Sequence, residues 1–196
     1  MTSSDLWDEE DARRYDEASA AMFTPEVLDP AVDFLARLAG DGPALELAIG
    51  TGRVAVPLAA RGVAVHGIEL SGPMVAQLRR KVDERSLPVV VGDMATTRVP
   101  GEFSLVYLVF NTLGNLRTQE EQVACFRNAA RHLRPGGRFV IELGVPALRR
   151  LPPGQVAVPF DVSEQHLGFD TYDLATQAGT SHHYWPEEDG RRYGVH

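Results

Sequence analysis

A chain of 196 residues, 44% of them hydrophobic, can bury one sizeable core and is short for two complete domains of ordinary size. A net charge of -8 argues against broad electrostatic attraction to a nucleic-acid backbone. The lone cysteine, Cys125, excludes an internal disulfide framework and a cysteine-rich metal site.

In chain order, the opening MTSSDLWDEEDARRYDEASA is an acidic stretch without the basic and apolar segments of a signal peptide. No run of about 18 apolar residues occurs anywhere, so a soluble, cytoplasmic protein with no membrane partner is expected. PEVLDPAVDFLARLAGDG (25–42) spaces Val27, Leu28, Val32, Leu35 and Leu38 as a helix does, with Gly40 and Gly42 as stop signals. ALELA (44–48) reads as a strand, RVAVPLAARG (53–62) as a helix ended by glycine, and VAVHGIEL (63–70) as a second strand. Ser71 is placed to cap the next helix, on which Met74, Leu78 and Val82 recur every four residues. PVVVGD (88–93) and FSLVYLVF (103–110) are apolar enough to be strands buried on both faces. Thr118 and Glu121 form a capping-box pattern ahead of Val123, Phe126, Ala130 and Leu133, and RPGG ends that helix before the strand RFVIELGV (138–145). The remainder offers three β-prone runs, VAVPFDV, GFDTYDLATQ and TSHHYW, separated by Gly, Ser and Asp, and reads as an antiparallel meander.

Near-continuous apolar strands alternating with helices predict an α/β, doubly wound, mainly parallel sheet. Ligands of such sheets bind outside the carboxyl ends of the strands. Residues 48–53, 69–71, 92–94 and 110–115 should therefore meet in one crevice. Gly50-Thr51-Gly52 follows a strand and opens a helix, so a ligand can lie against main-chain N–H groups that a Cβ would block. Glu69, 19 residues beyond Gly50 and at the end of the second strand, is spaced to accept from both hydroxyls of a ribose. Glu46 sits inside the first strand, where burial would oblige it to find donors, and Asp93 ends the third, within reach of an exocyclic amine. Three acids at three neighbouring strand ends suit a ligand rich in donors and without phosphate. Gly50-x-Gly52-x-x-Ala55 also satisfies the dinucleotide fingerprint, which keeps an NAD(P)-binding oxidoreductase as an alternative.

With these motifs in place the chain resembles the class I S-adenosylmethionine-dependent methyltransferases, small-molecule members of the methyltransferase-domain superfamily, from about Tyr15 to Val145. The resemblance rests on LELAIGTGR, GIELS, VVGDM, LVFNTLGNL and LRPGGRFVIE, five motifs in order. It implies a Rossmann-like domain over 1–146 that binds S-adenosyl-L-methionine and a small-molecule N, O or carboxylate acceptor. It further implies that Glu46, Ala48 and Gly50 lie beside the methionine part, with Gly52 in the same turn, that Glu69 holds the ribose, and that Leu70 and Met74 pack on the adenine. Asp93 and Met94 are implied to read the adenine edge, Phe110 to close the other side, Tyr15 to cover the cofactor and Arg53 to face the methionine carboxylate. Ala48 stands where the family's glycine motif has its first glycine. Similar sugar-amine enzymes carry a histidine where this chain has Asn115.

No catalytic residue is fixed by these patterns and no metal is expected; the candidates are Asn111, just past the fourth strand, and His183. His182 and His183 must face opposite sides of any strand that holds them. Residues 147–196 are expected to form a lid or a homodimer surface, and the family's sixth strand and reversed seventh strand have no counterpart in the sequence, as in a truncated chain. That shortness motivates a further alternative, a non-catalytic adenosyl-binding or dimer-forming relic.

Overall fold

Short apolar runs become the strands of one parallel sheet, and burial on both faces of its first and fourth strands accounts for their lack of polar alternation. The structure, a computed structural model, describes residues 7–145, 151–176, 178–187 and 190–195. The chain divides into two compact units, Met1–Gly144 and Val145–His196. The first is built on β1 (Ala44–Leu47), β2 (Val65–Glu69), β3 (Val89–Val91), β4 (Phe103–Leu108) and β5 (Leu133–Ile141), in the order β3-β2-β1-β4-β5. All four pairings are parallel, so every strand ends at the same edge of the sheet.

Period-two alternation divides the side chains between two apolar layers. Ala44, Val65, Leu105 and Tyr107 pack with Leu28, Val32 and Leu35 of α2 (Pro25–Ala39), Ala55 and Leu58 of α3 (Ala55–Ala60), and Leu78 of α4 (Gly72–Arg79). Leu45, Leu47, Val106 and Leu108 pack with Cys125 and Ala129 of α5 (Gln119–His132). The predicted caps are present: the Ser71 side chain accepts from the Met74 N–H, and Thr118 and Glu121 bond reciprocally. His132, fully buried at the end of α5, donates from Nδ1 to the Asn128 carbonyl and accepts the Val99 N–H at Nε2.

Several segments differ from their sequence reading: β3 is an edge strand with Val91 59% exposed rather than buried on both faces, α4 ends at Arg79, short of Val82, and Leu133 opens β5 instead of closing α5. The acidic opening, described from Trp7 onward, forms a helix, α1 (Glu9–Ala18), because Asp8 caps it by accepting from the Glu10 and Asp11 N–H groups, while Glu9, Glu10 and Asp11 oppose the positive end of the helix dipole. α1 buries only Ala12, so the apolar periodicity that marks a helix is missing from its sequence. RPGG lies inside β5 rather than before it, taken up by a register shift in which Phe103 and Leu105 face Leu133 and Arg138, with Gly136 at φ 79°.

The second unit is a four-stranded antiparallel sheet, β6 (Ala157–Val162), β7 (Leu167–Asp173), β8 (Ala178–Glu187) and β9 (Gly190–Val195), in sequential order. The three anticipated runs are β6, β7 and β8; β9 adds itself to the free edge of β8, pairing Val195 with His182 and Gly190 with Glu187. Glutamine 177, which closed the middle run, lies outside the described residues, as do 147–150 of the C-terminal segment.

Candidate functional site

The strand-end residues collect around the turn after β1. Ala48, Gly50 and Gly52 have φ of 53°, 55° and 81°, and the turn is tied down by Ile49 N–H to the Ile68 carbonyl and Gly52 N–H to the Ile49 carbonyl. The two glycines serve different ends. A Cβ on Gly50 would meet nothing within 4 Å, so its backbone opens onto free space, whereas a Cβ on Gly52 would stand 2.4 Å from Leu78 Cδ1.

Glu69 braces this turn against the next strand. Its Oε2 accepts the Gly50 N–H at 2.7 Å and its Oε1 accepts the Ser71 N–H at 2.9 Å. Burial raises its pKa, and the N–H groups of Ser71, Gly50 and Leu70 oppose that rise. Glu46 is more deeply buried, with 3% of its surface exposed. Its partner across the ladder is Tyr107, whose hydroxyl donates to Oε2 at 2.9 Å. Burial pushes the Glu46 carboxyl up to about 8; the Tyr107 hydroxyl, Arg53 and the Ala55 N–H pull it down, and Glu69 pushes it further up. Burial and the same carboxylate raise the Tyr107 phenol well above its ordinary value.

Arg53 leaves the turn to lie over the Phe110 ring, 4.6 Å from its centroid, and donates to the Met22 carbonyl at 3.4 Å. Tyr15 joins the group from α1. Its ring stands edge-on to Trp7, and its pKa is raised by burial, lowered by Arg53 and raised by Asp16, Glu46 and Glu69. Tyr15, Glu46, Arg53 and Glu69 thus share one electrostatic neighbourhood beside the glycine turn, with Phe110 stacked on its cation.

The end of β4 is strained. Phe110 and Asn111 both adopt left-handed backbone, φ 62° and 58°; with Ala48 they are the non-glycine residues of positive φ among those described, and all three lie at the ends of adjacent strands. Glu142 holds the bend, accepting the Phe110 N–H at Oε2 and the Asn111 N–H at its carbonyl, while Asn111 Oδ1 accepts the Gly144 N–H.

Other candidates stand differently. The Asp93 carboxylate folds back to accept the Ala95 N–H at 2.6 Å, and it raises the pKa of buried Cys125, which burial first of all pushes up to about 11. Met94 packs in the layer beneath α5, Met74 is buried at the start of α4, and Leu70 is half-buried beside it. His183 belongs to the second unit. Its Nδ1 is 2.8 Å from His166 Nε2, whose ring binds Asp161 Oδ2 through Nδ1, and Trp185 stacks on both imidazoles. His182 faces the other way, onto Phe169 and Thr171. Tyr107 and Glu142 were not anticipated; a tyrosine hydroxyl inside a strand read as buried on both faces was the available signal for the first.

Comparison with known proteins decides the family. A family profile described as a methyltransferase domain matches residues 44–137, from β1 into the β5 bulge. The solved CcbJ methyltransferase from Streptomyces caelestis superposes with a TM-score of 0.72 at 37% identity, covering 85% of this chain and 69% of that one. The chain belongs to the class I S-adenosylmethionine-dependent methyltransferases. Among curated relatives, the cypemycin N-terminal methyltransferase of a Streptomyces species is 30% identical over 152 residues, 75% of this chain and 60% of that protein. The dTDP-3-amino-3,4,6-trideoxy-alpha-D-glucopyranose N,N-dimethyltransferase of Streptomyces venezuelae is 35% identical over 98 residues, 50% of this chain and 40% of that protein. The chain therefore spans about half the length of the curated relatives it matches.

S-adenosylmethionine is the cofactor of this methyltransferase family, and the residues present fit it. A cationic donor would offset the burial that raises the Glu46 carboxyl, the Gly50 backbone leaves space where a side chain would intrude, and Arg53 offers a counter-charge to a carboxylate. Among the described residues no helix is long and apolar enough to cross a membrane.

Proposed function

We propose that this methyltransferase transfers the methyl group of S-adenosylmethionine to a small-molecule acceptor, with an amine nitrogen as the first class to test and hydroxyl and carboxylate oxygens after it. The observation that carries the reading is the pair of buried carboxylates, Glu46 and Glu69, at neighbouring strand ends around a glycine turn, with Arg53 and Tyr15 in the same neighbourhood. A pyrophosphate would gain no donor from an ionised carboxylate at that pair and would be repelled by it, which disfavours the dinucleotide alternative. The preference for nitrogen leans on the relatives, named as an N-terminal methyltransferase and an N,N-dimethyltransferase.

In this reading Glu46 takes the cofactor's ammonium, Arg53 its carboxylate and Glu69 the ribose hydroxyls, while Gly50, Ala48 and Gly52 let it lie against the backbone. Leu70, Met74, Asp93 and Met94 receive the adenine, and Phe110 and Tyr15 close the sides. When bound, the cofactor supplies a methyl carbon made electrophilic by its sulfonium. The protein's part is to exclude water and hold the acceptor in line, effects worth roughly 7–11 kcal/mol when geometry is well fixed. In this reading Asn111 orients the acceptor; its left-handed backbone beside Phe110 and its bond to the Gly144 N–H, which hold it at the end of β4, support the role. A base is needed only where the acceptor arrives protonated. The C-terminal sheet serves as lid or dimer surface in this scheme, and the buried, unpaired Cys125 suits a cytoplasmic setting.

Thermal unfolding with S-adenosylmethionine, S-adenosylhomocysteine or NAD tests the cofactor. A ligand at 100 times its Kd is expected to stabilise by about 2.7 kcal/mol. Stabilisation by NAD alone overturns the proposal. S-adenosylhomocysteine release over a panel of amines, alcohols and carboxylates then tests the acceptor; tight cofactor binding without product from any class favours the relic.

A further inference from the structure

The helix that brings Tyr15 to the site has little apolar reason to stay there. α1 buries one alanine, Ala12, and its outward face is charged throughout. What holds the segment from Trp7 to Phe23 is a set of polar ties to the loops after β1 and β2. At its start the Ser71 hydroxyl donates to the Trp7 carbonyl at 2.9 Å, and at its end Arg53 donates to the Met22 carbonyl. Between them Asp16 makes the strongest tie. Its Oδ1 accepts from the Thr51 hydroxyl at 2.6 Å, its Oδ2 pairs with Lys81 Nζ, and Lys81 Nζ also donates to the Thr51 carbonyl at 3.0 Å, which closes a three-membered ring. The side chains of Asp16 and Lys81 are only about a third exposed, and the ammonium also sits 5.3 Å from the Phe23 ring centroid, so solvent competes weakly for it.

We propose that Asp16 is a positioning residue of the cofactor site: through Thr51 and Lys81 it latches α1 to the glycine turn and so holds Tyr15 over the bound cofactor. Two features make the latch specific to that task. Asp16 is the next residue to Tyr15, so fixing one carboxylate fixes the neighbouring phenol. Thr51 follows Gly50, whose N–H is held by Glu69; α1 is therefore anchored to the same turn that Glu69 braces from the end of β2. The latch rests on the cofactor reading above, and with it Asp16 governs how long the cofactor stays rather than the intrinsic methyl-transfer step.

The test measures dissociation of S-adenosylmethionine by stopped flow, with amide hydrogen exchange of α1 and of β1 and β4 followed in the unliganded protein. Asp16→Ala is expected to speed cofactor dissociation about ten-fold and to speed exchange in α1 while β1 and β4 keep wild-type protection. Asp16→Asn, which still accepts from Thr51, is expected to recover about half of that effect on a logarithmic scale, and Lys81→Met to match it. Tyr15→Ala is expected to dissociate as fast as Asp16→Ala, and the double variant no faster than either, because the two residues act as one unit. Additive losses in the double variant, or wild-type dissociation in Asp16→Ala, overturn the latch. Should wild-type protein fail to bind the cofactor, the cofactor reading falls, and unchanged α1 exchange in Asp16→Ala overturns the latch separately.

Discussion

Glu46 is an acid in the middle of a sheet, and replacing it with glutamine tests both its protonation and its purpose. With 3% exposure and a carboxyl pushed up to about 8 from an ordinary value of 4.5, it holds its proton in the folded protein across a range in which the unfolded chain releases it. Below pH 4.5 both states carry the proton and Glu46 leaves stability independent of pH. Between 4.5 and 8 the unfolded state alone loses it, so this residue lowers stability by about 1.4 kcal/mol per pH unit, levelling off above 8 on the order of 5 kcal/mol down. Glu46→Gln cannot titrate. Its carbonyl still accepts from Tyr107, but its buried N–H groups impose a constant cost of about 1–3 kcal/mol. The decisive quantity is consequently the slope. Urea unfolding of the unliganded protein at pH 5.5, 6.5, 7.5 and 8.5 is expected to show the variant gaining on wild type by about 1.4 kcal/mol per unit up to pH 7.5. Saturating S-adenosylmethionine is expected to flatten the wild-type slope, because an ammonium beside Glu46 favours the carboxylate, with release of about one proton on binding at pH 7 in calorimetry. Parallel pH profiles for variant and wild type would refute the reasoning.

Four other substitutions separate the roles of individual residues. Tyr107→Phe removes the hydroxyl that favours the ionised Glu46, so it is expected to leave the onset of the fall in stability near pH 4.5, to extend the fall to higher pH, and to cost about 1–3 kcal/mol at pH 8.5 in urea unfolding. Gly52→Ala places a Cβ against Leu78 and is expected to destabilise by about 2–4 kcal/mol, whereas Gly50→Ala meets no atom, costs about 1 kcal/mol in left-handed backbone and is expected to lose cofactor affinity instead; paired unfolding and binding measurements check both. Burial lowers the pKa of His132, so its contribution is complete above about pH 6.5 and drains away as pH falls toward its folded value. His132→Phe is expected to remove that acid-limb loss while costing about 2–4 kcal/mol at pH 8, from unpaired Val99 N–H and Asn128 carbonyl groups.

Much of the first unit was legible because local physics and global fold agree there. β1 and β4 are buried at every residue, which runs of mostly apolar side chains without period-two polar alternation announce, and Ser71 and Thr118 cap the helices their sequence spacing predicts. Glu46 stood out as an acid where an apolar residue belongs, and Glu69 by its distance from Gly50. What escaped depends on register or on long separations. Tyr107 is an ordinary strand residue until β4 is known to lie beside β1 with Glu46 opposite it. Asp16, Thr51 and Lys81 are 35 and 30 residues apart along the chain and have no shared periodicity. α1 was missed because a helix that buries one alanine lacks the stripe by which helices are recognised.

The strained residues show why the site sits where it does. Left-handed backbone at Ala48, Phe110 and Asn111 costs about 1–2 kcal/mol each for side chains with a Cβ, and a mobile loop would relax out of it. Here it persists because the flanking strands, β1 and β4, are central, hydrogen-bonded on both sides and buried throughout. The same rigidity keeps Glu46 dry and its charge dear. In the proposed reading a ligand that brings its own cation to that carboxylate would recover in binding what the unliganded fold gives up in stability, so the sheet edge would convert a structural liability into selectivity for a positively charged cofactor.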